Sequence, residues 1–341
     1  MSQSATSLPF TLHRQGILLA PAEGLRYEAG GVLNPTIYLA PTGLMMMYRA
    51  VDRVPHNFSR LALASLRWEG DRLLAERLDR FALEPSEPYE LLDATLDAPV
   101  ASGGGCEDPR VTEVDGELYL CYTAYGGAQF PRIAFARSND GLRWTRLGLA
   151  RWSLHVQDTP DGELAVDLNL VPNKDAMLFP EKIHGRYAML HRPMFSVSLG
   201  GRLGDRQSIW ISYSDDLLHW DRHQLVAAPA HPWENLKLGG GTQPVRTPEG
   251  WLIFYHGVQG EHDGDPHRRY SAGAMLLDLT DPAKVLYRSP SPILTPESAE
   301  ERTGVVSNVV FPTGVLAAPG GGFAVAYGMA DRCIGWARTG A

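Results

Sequence analysis

Gly116-Glu117-Leu118-Tyr119-Leu120-Cys121-Tyr122 is a glycine followed by a short apolar run that ends on an aromatic residue. The same design appears as Gly43-Leu44-Met45-Met46-Met47-Tyr48-Arg49, Gly185-Arg186-Tyr187-Ala188-Met189-Leu190-His191-Arg192, Gly250-Trp251-Leu252-Ile253-Phe254-Tyr255-His256 and Gly322-Phe323-Ala324-Val325-Ala326-Tyr327. In chain order the five glycines are separated by 73, 69, 65 and 72 residues. A period near 70 residues marks a repeat architecture, and it divides the chain into five units.

Each unit repeats more than one strand. Ahead of the glycine a polar opening leads into another apolar stretch: Asn34-Pro35-Thr36, Glu107-Asp108-Pro109, Lys174-Asp175-Ala176, Gly241-Thr242-Gln243 and Ser307-Asn308-Val309. Asp115-Gly116 is a tight-turn dipeptide that joins the alternating residues of 111–122 into a hairpin. Beyond it, 133–144 and 209–220 each place an Asn/Asp turn between an alternating strand and a tryptophan. Five units of about four strands predict an all-β, five-bladed β-propeller, with sheets packed face to face around a channel. A pair of β-sandwiches fits this spacing less well. Little chain follows Ile334-Gly335-Trp336, so the N-terminal segment, about 8–20, is expected to complete the last blade. No linker or low-complexity stretch interrupts 1–341, which predicts a single domain with a central active-site funnel.

Composition narrows the function. With 44% hydrophobic residues the chain can bury a sizeable core, and 35 glycines with 25 prolines favour turns over long helices. Thirty-one basic against 39 acidic residues, a net charge of −8, argue against a nucleic-acid surface. Cys106, Cys121 and Cys333 are odd in number and lack metal-ligand spacing, which speaks against a disulfide framework or a zinc site and for small buried hydrophobes. Residues 1–14 are polar apart from Leu8-Pro9-Phe10, and no apolar run has the length of a membrane span. The expectation is a soluble cytoplasmic protein without a membrane partner. Homo-oligomerisation stays open.

In a ring of this kind the first residues of the innermost strands converge at one mouth. Gly103-Gly104-Gly105-Cys106-Glu107-Asp108-Pro109-Arg110 sets two carboxylates and an arginine directly after three glycines. Alone, the octet reads more readily as a turn started by Asp108-Pro109 with Glu107 solvated. Convergence would bring Asp108 and Glu107 together with Asn34, Lys174, Asp175 and Asn308, and the ends of the next strands would add Arg49, Arg192, His256 and Asp331. Carboxylates and amides hydrogen-bond sugar hydroxyls, and a carboxylic acid beside a glycosidic oxygen protonates a leaving group. The cationic character of Lys174, Arg192 and His256 points to an anion on the opposite side. The alternative is that these ions pair among themselves as structural ties.

These residues also carry a resemblance. Glu107-Asp108-Pro109-Arg110, Asn173-Lys174-Asp175-Ala176-Met177-Leu178-Phe179-Pro180-Glu181-Lys182, His191-Arg192-Pro193, Tyr255-His256-Gly257, Leu276-Leu277-Asp278-Leu279, Asp281-Pro282, Val309-Val310-Phe311-Pro312-Thr313-Gly314 and Tyr327-Gly328-Met329-Ala330-Asp331 resemble the signatures of glycoside hydrolase family 130. The resemblance implies a five-bladed propeller and, in most members, an inverting phosphorylase that cleaves β-mannosides with inorganic phosphate and releases α-mannose 1-phosphate. Other members are β-1,2-mannosidases. It implies Asp108 as the general acid, acting through the 3-hydroxyl of the bound mannose. Asn34, Arg49 and Asp331 match positions that hold mannose, with Glu107 and Asp175 as further sugar-binding candidates. Lys174, Arg192 and His256 match the phosphate cradle. The expected partners are a β-mannoside oligosaccharide and phosphate as co-substrate, with no cofactor and no metal.

Phosphorolysis needs a dianion held in line with C1, whereas hydrolysis needs a carboxylate base to activate water. Cations at 174 and 192 favour phosphate, although some phosphorylases of the family resemble this chain with arginine in place of Lys174. A mannosidase would use Asp175 or Glu181 as its base, and a catalytically silent carbohydrate-binding propeller would keep only the mannose contacts. Tyr125, Phe130, Trp152 and Trp233 are candidates for stacking on a second sugar ring, or for loop packing. Segment 152–173, with Asp158, Asp161, Glu163 and Asp167, reads as an inserted hairpin that walls the pocket or decorates the surface. Segment 261–270 reads first as a solvated loop, and alternatively as one whose Arg268 and Arg269 touch phosphate or the leaving sugar.

Overall fold

The computed structural model describes residues 11–52, 58–91, 104–126, 130–159, 162–195 and 206–340. The architecture is all-β, with one short helix, α1 (Ala299–Arg302), and a few 3-10 turns among the described residues. After β1 (Leu12–Leu19), the first unit contains β2 (Gly31–Ala40), β3 (Gly43–Asp52), β4 (Phe58–Glu69) and β5 (Arg72–Leu83). The second contains β6 (Gly104–Val114), β7 (Glu117–Tyr125), β8 (Arg132–Ser138) and β9 (Thr145–Leu149). Then come β10 (Arg151–Trp152) and a separate hairpin, β11 (Leu154–Thr159) with β12 (Gly162–Asp167), before the third unit: β13 (Asn173–Leu178), β14 (Tyr187–Pro193), β15 (Ile209–Ser214) and β16 (His219–Ala227). The fourth has β17 (Lys237–Gly239) and β18 (Val245–Thr247), both paired to β19 (Gly250–Gln259), then β20 (Arg269–Leu277) and β21 (Val285–Arg288). The fifth has β22 (Val310–Ala317), β23 (Phe323–Met329) and β24 (Cys333–Thr339).

Each unit is an antiparallel meander, and β1 pairs antiparallel with β24 as the fourth strand of the fifth. Residues 8–10 of the segment expected to complete that unit lie outside the described residues. A short parallel bridge from β4 to β6 joins units one and two into one eight-stranded sheet. Five hydrophobic cores link consecutive units. Ile37 and Met46 of unit one pack with Ala326 and Trp336 of unit five, and Leu63 of unit one packs with Leu120 of unit two. The others join Phe135 to Trp220, Leu190 to Ile253, and Phe254 to Val325, so the units form a closed cycle.

The repeating glycines have a common reason. Gly43, Gly116, Gly185, Gly250 and Gly322 all adopt positive φ, at 124°, 82°, 78°, 154° and 72°, where a side chain is strained. The two expected Asn/Asp turns also close alike. Ser138 Oγ accepts from Gly141 N (2.8 Å) and Asp140 from Leu142 N and Arg143 N, while Ser214 Oγ accepts from Leu217 N (2.9 Å) and Asp216 from Leu218 N and His219 N.

A second repeat has no counterpart in the sequence reading. Glu28, Glu90, Glu234 and Glu301 are fully buried, each on the segment leading into a unit's first strand. Each accepts a tyrosine hydroxyl from the strand that pairs with that unit's opening strand or strands: Tyr48 (2.8 Å), Tyr122 (2.6 Å), Tyr255 (3.0 Å) and Tyr327 (2.9 Å). Each also takes an arginine from the outer strand, Arg77, Arg146, Arg288 or Arg14, and at least one backbone N–H from its own turn. Arg14 lies on β1, so the N-terminal strand supplies the fifth unit's arginine. Unit three replaces this hub with a neutral chain in which His191 joins Asn173 to Ser212 (2.7 Å), and Ser212 meets His223 (2.8 Å).

On a strand the residue after each tyrosine faces the other way. Thus Arg49, Thr123, Arg192 and His256 follow Tyr48, Tyr122, His191 and Tyr255 and turn from the hubs toward the ring's interior. Opposite them the first strands bulge, with register shifts at Leu33/Thr36, Glu107/Arg110 and Lys174/Met177. The bulged residues Asn34, Asp108 and Asp175 have φ of 47°, 48° and 57°. Asn and Asp tolerate this left-handed region best among non-glycine residues. In unit five the shift falls at Pro312/Gly314, so Asn308 (φ 59°) lies upstream of the position expected for it.

The hubs predict a graded loss of stability. Tyr122→Phe removes one donor to a carboxylate and is expected to cost about 1.5–3 kcal/mol, whereas Glu90→Ala strands Arg146 and Tyr122 together and is expected to cost about 3–5 kcal/mol. Urea unfolding midpoints check the order, which equal losses for the two variants would contradict.

Candidate active site

Asp108 is the centre of the interior cluster. Asn34 Nδ2 donates to its Oδ1 at 2.7 Å, and Arg49 Nη1 approaches the same oxygen at 3.4 Å. Arg49 Nη2 also donates to Glu107 Oε1 (2.8 Å), whose other oxygen meets Lys174 Nζ at 3.4 Å. Beneath them Arg110 is buried, donating from Nη1 to the carbonyls of Asp108 and Pro109 and from Nε to the carbonyl of Gly241. A Cβ on Gly241 would run into the Phe254 and Pro312 carbonyls, so only glycine lets these strands close over that arginine.

Burial pushes the Asp108 carboxyl up, but Arg49, Lys174, Arg110 and the Asn34 amide outweigh it, and the group lies below its ordinary value. Asp331 behaves oppositely. Burial raises it, Arg49 lowers it, and Asp108 and Glu107 raise it again, so it is pushed up to about 6. Two neighbouring carboxyls thus titrate apart, one an anion at neutral pH and one able to hold a proton just below it.

A cavity of about 520 Å³ opens here, lined by Arg49, Glu107, Lys174 and Asp331, with Tyr125, Pro131 and Met194 on one side and Val305 and Val306 among its apolar walls. That volume suits a small sugar with polar groups fixing its orientation. Arg268 also lines it, so the loop expected at 261–270 reaches the cavity through that residue.

Asp175, Arg192 and His256 form a second cluster that does not line this cavity. Arg192 Nε lies 2.7 Å from Asp175 Oδ2, and its Nη1 donates to Gln207 Oε1 at 2.7 Å. His256 corrects the sequence reading of a cationic cradle. It is fully buried, Nδ1 donates to the Gly240 carbonyl (3.1 Å), and burial pushes it down to about 3, so the imidazole is neutral. Phe311 covers the ring at 4.3 Å. Lys237 and Asp263, absent from the sequence candidates, complete the cluster: Lys237 Nζ pairs with Asp263, and Gln207 Nε2 donates to Asp263 Oδ2 at 3.1 Å. A lysine two residues before Gly239-Gly240-Gly241, the counterpart of the glycines before Glu107, was the available signal.

Other expectations sort by burial. Glu181 pairs with Arg246 (2.6 Å) at a half-exposed surface position, away from the cavity lining. Trp152 is buried beside His191 and Trp220, and Trp233 is buried on Tyr255, so both pack the structure and do not stack on a ligand at a rim. The 152–173 insertion is the expected hairpin, but it lies near outer strand β16 and none of its described residues lines the cavity. Asp161 and the side chain of Asp158 lie outside the described residues. Among the described residues no group of three or more His, Cys, Asp or Glu is placed to hold a metal.

The family model described as beta-1,4-mannooligosaccharide phosphorylase, that of glycoside hydrolase 130, matches residues 97–340. The chain is 36% identical to the 1,2-beta-oligomannan phosphorylase of Thermoanaerobacter sp. (strain X514) over 329 residues, covering 94% of this chain and 93% of that protein. It is 42% identical to the beta-1,4-mannooligosaccharide phosphorylase of Ruminococcus albus over 219 residues, 63% of each chain. In fold it is similar to the beta-1,2-mannobiose phosphorylase from Listeria innocua in complex with beta-1,2-mannobiose, with a TM-score of 0.72 over 97% of this chain and 96% of that one at 23% identity.

Asp331 generates a pH prediction. Its carboxyl rises from 3.8 to about 6 on folding, so in that window the folded state binds the extra proton and stability falls as pH rises. Above it the charged carboxylate costs up to about 3 kcal/mol. Asp331→Asn is therefore expected to raise Tm at pH 7.5, with the gain shrinking to nothing below about pH 4. A pH-independent change in thermal unfolding would remove the assignment.

Proposed function

Because the chain belongs to glycoside hydrolase family 130, we propose that it is a five-bladed β-propeller, one catalytic domain, working as a β-mannoside phosphorylase. Mannose sits in the cavity, held by Asn34, Arg49, Glu107 and Asp331. Phosphate enters on the side of Lys174, Arg192 and Arg268 and attacks C1. The bond from C1 to the bridging oxygen breaks as the bond from C1 to phosphate oxygen forms on the opposite face, giving α-mannose 1-phosphate. Asp108 sends a proton to the bridging oxygen through the sugar's 3-hydroxyl and is left as a carboxylate.

The observation that carries this reading is the charge around Asp108. Lys174 and Arg49 are within a few ångströms of its carboxylate pair, and Arg192 and Lys237 lie in the adjoining cluster, a concentration suited to an anionic nucleophile. It also explains how an acid works at a position whose empty state favours the anion. A dianion arriving on these cations cancels the field that lowers Asp108, and the expulsion of water then raises it toward protonation. Neither carboxylate considered as a base for water fits that role: Glu181 is tied to Arg246 at the surface and Asp175 is buried against Arg192. Inorganic phosphate is the sole co-substrate in this scheme, and no cofactor takes part.

Product analysis on β-1,2- and β-1,4-linked mannobiose, each with and without inorganic phosphate, tests the reading. Mannose 1-phosphate formed only when phosphate is present is expected, and free mannose at the same rate without phosphate would replace it with hydrolysis. Asp108→Asn keeps a residue that accepts the left-handed backbone, so folding should survive while turnover falls about 10²–10⁴-fold. Near-normal turnover would dismiss Asp108 as the acid.

A further inference from the structure

Resting on the phosphorylase reading, we propose that Asp263 is the resident counter-anion of the phosphate site: in the empty enzyme its carboxylate occupies the cationic nest, and phosphate binds by displacing it. The carboxylate belongs to loop 260–268 and is the one acidic side chain of that loop turned onto the interior cluster. Lys237 Nζ and Gln207 Nε2 donate to its two oxygens, and Gln207 is itself held by Arg192 Nη1. Arg268 donates to the Asp263 backbone carbonyl and reaches on to line the sugar cavity.

Charge balance favours exchange. Arg192, Lys237 and Arg268 bring three positive charges against the two carboxylates Asp175 and Asp263, a surplus of one, and His256 is neutral. With Asp263 withdrawn the surplus is two, the charge of a hydrogen-phosphate dianion. Burial and the neighbouring Arg192 hold Lys237 below its ordinary value, so this ammonium gains from a stronger anionic partner. The carboxylate also has an exit. Its side chain is 55% exposed and is followed by Gly264, and the loop is tied internally by Asp265, which accepts from Glu261 N (3.0 Å) and His267 N (2.8 Å). Release of Asp263 therefore moves a preformed turn, and because Arg268 grips the Asp263 carbonyl, the same motion resets a wall of the sugar cavity.

An internal competitor weakens apparent affinity by the fraction of time it is seated; a seated fraction of about nine-tenths corresponds to about tenfold. The test is calorimetric titration of the full chain with inorganic phosphate, for wild type, Asp263→Asn, Asp263→Ala and, as a control that loosens the loop without removing the competitor, Asp265→Asn. Both Asp263 variants are expected to bind phosphate about tenfold more tightly, with Asp265→Asn at the wild-type value. Unchanged or weaker binding in both Asp263 variants overturns the proposal, as does equal tightening in Asp265→Asn. A wild-type enzyme that makes mannose 1-phosphate while the Asp263 variants fail this test leaves the phosphorylase reading standing alone. A wild type that neither binds phosphate nor makes mannose 1-phosphate overturns both.

Discussion

A carboxylate taken out of water must recover the hydrogen bonds it loses, and four buried glutamates meet that demand in the same way. Glu28, Glu90, Glu234 and Glu301 each gather a tyrosine hydroxyl, an outer-strand arginine and backbone N–H groups. At Glu90 and Glu301 burial pushes the carboxyl up, yet the arginine and the other donors bring it below its ordinary value, so the charged form is the stable one. Each hub ties the segment entering a unit to its tyrosine-bearing strand and its outer strand.

The interior site is the reverse face of that arrangement. Strand alternation means that fixing Tyr48 toward Glu28 fixes Arg49 toward Asp108, and fixing Tyr255 toward Glu234 fixes His256 toward Gly240 and Asp175. Bulges at Asn34, Asp108 and Asp175 then aim three polar side chains inward without breaking the sheets. Unit three departs from the pattern: its neutral His191–Ser212–His223 chain stands where the others carry an ionic hub, and Lys174 and Arg192 flank it in sequence through Asn173 and His191.

Much of this was legible in the sequence because the repeat is written in residues with few substitutes. Positive φ at Gly43, Gly116, Gly185, Gly250 and Gly322 admits little else, and these glycines marked the five units. Asn34, Arg49, Glu107, Asp108, Lys174 and Asp331 emerged because they sit at the polar openings of first strands or at the ends of the strands that follow, and the structure groups them around one cavity or on its lining. The hubs did not emerge, although a proline lies five residues before Glu90, Glu234 and Glu301, since a glutamate in a polar connection looks like any solvated one. Asn308 was aligned by its polar company, while the register of β22 with β23 puts the break at Pro312/Gly314. His256 was read by residue type as a cation, and only burial with a carbonyl partner shows it to be neutral. Lys237 opens β17 and Asp263 lies on the loop after β19, and they meet only in three dimensions.

The pairing of β1 with β24 has a consequence for how the chain reaches this state. Arg14 and Glu301 are 287 positions apart, so the fifth hub joins an early-made strand to a late-made turn. Until β24 has been made, β1 lacks the partner for its hydrogen-bonding edge, and the pairing that closes the cycle spans a sequence separation of the kind that slows folding. The strand is suited to the wait. Its apolar residues, Leu12 and the run Ile17-Leu18-Leu19, stand at the ends, while His13, Arg14, Gln15 and Gly16 keep the middle polar or bare, a composition that discourages a stray chain from docking along that part of the edge.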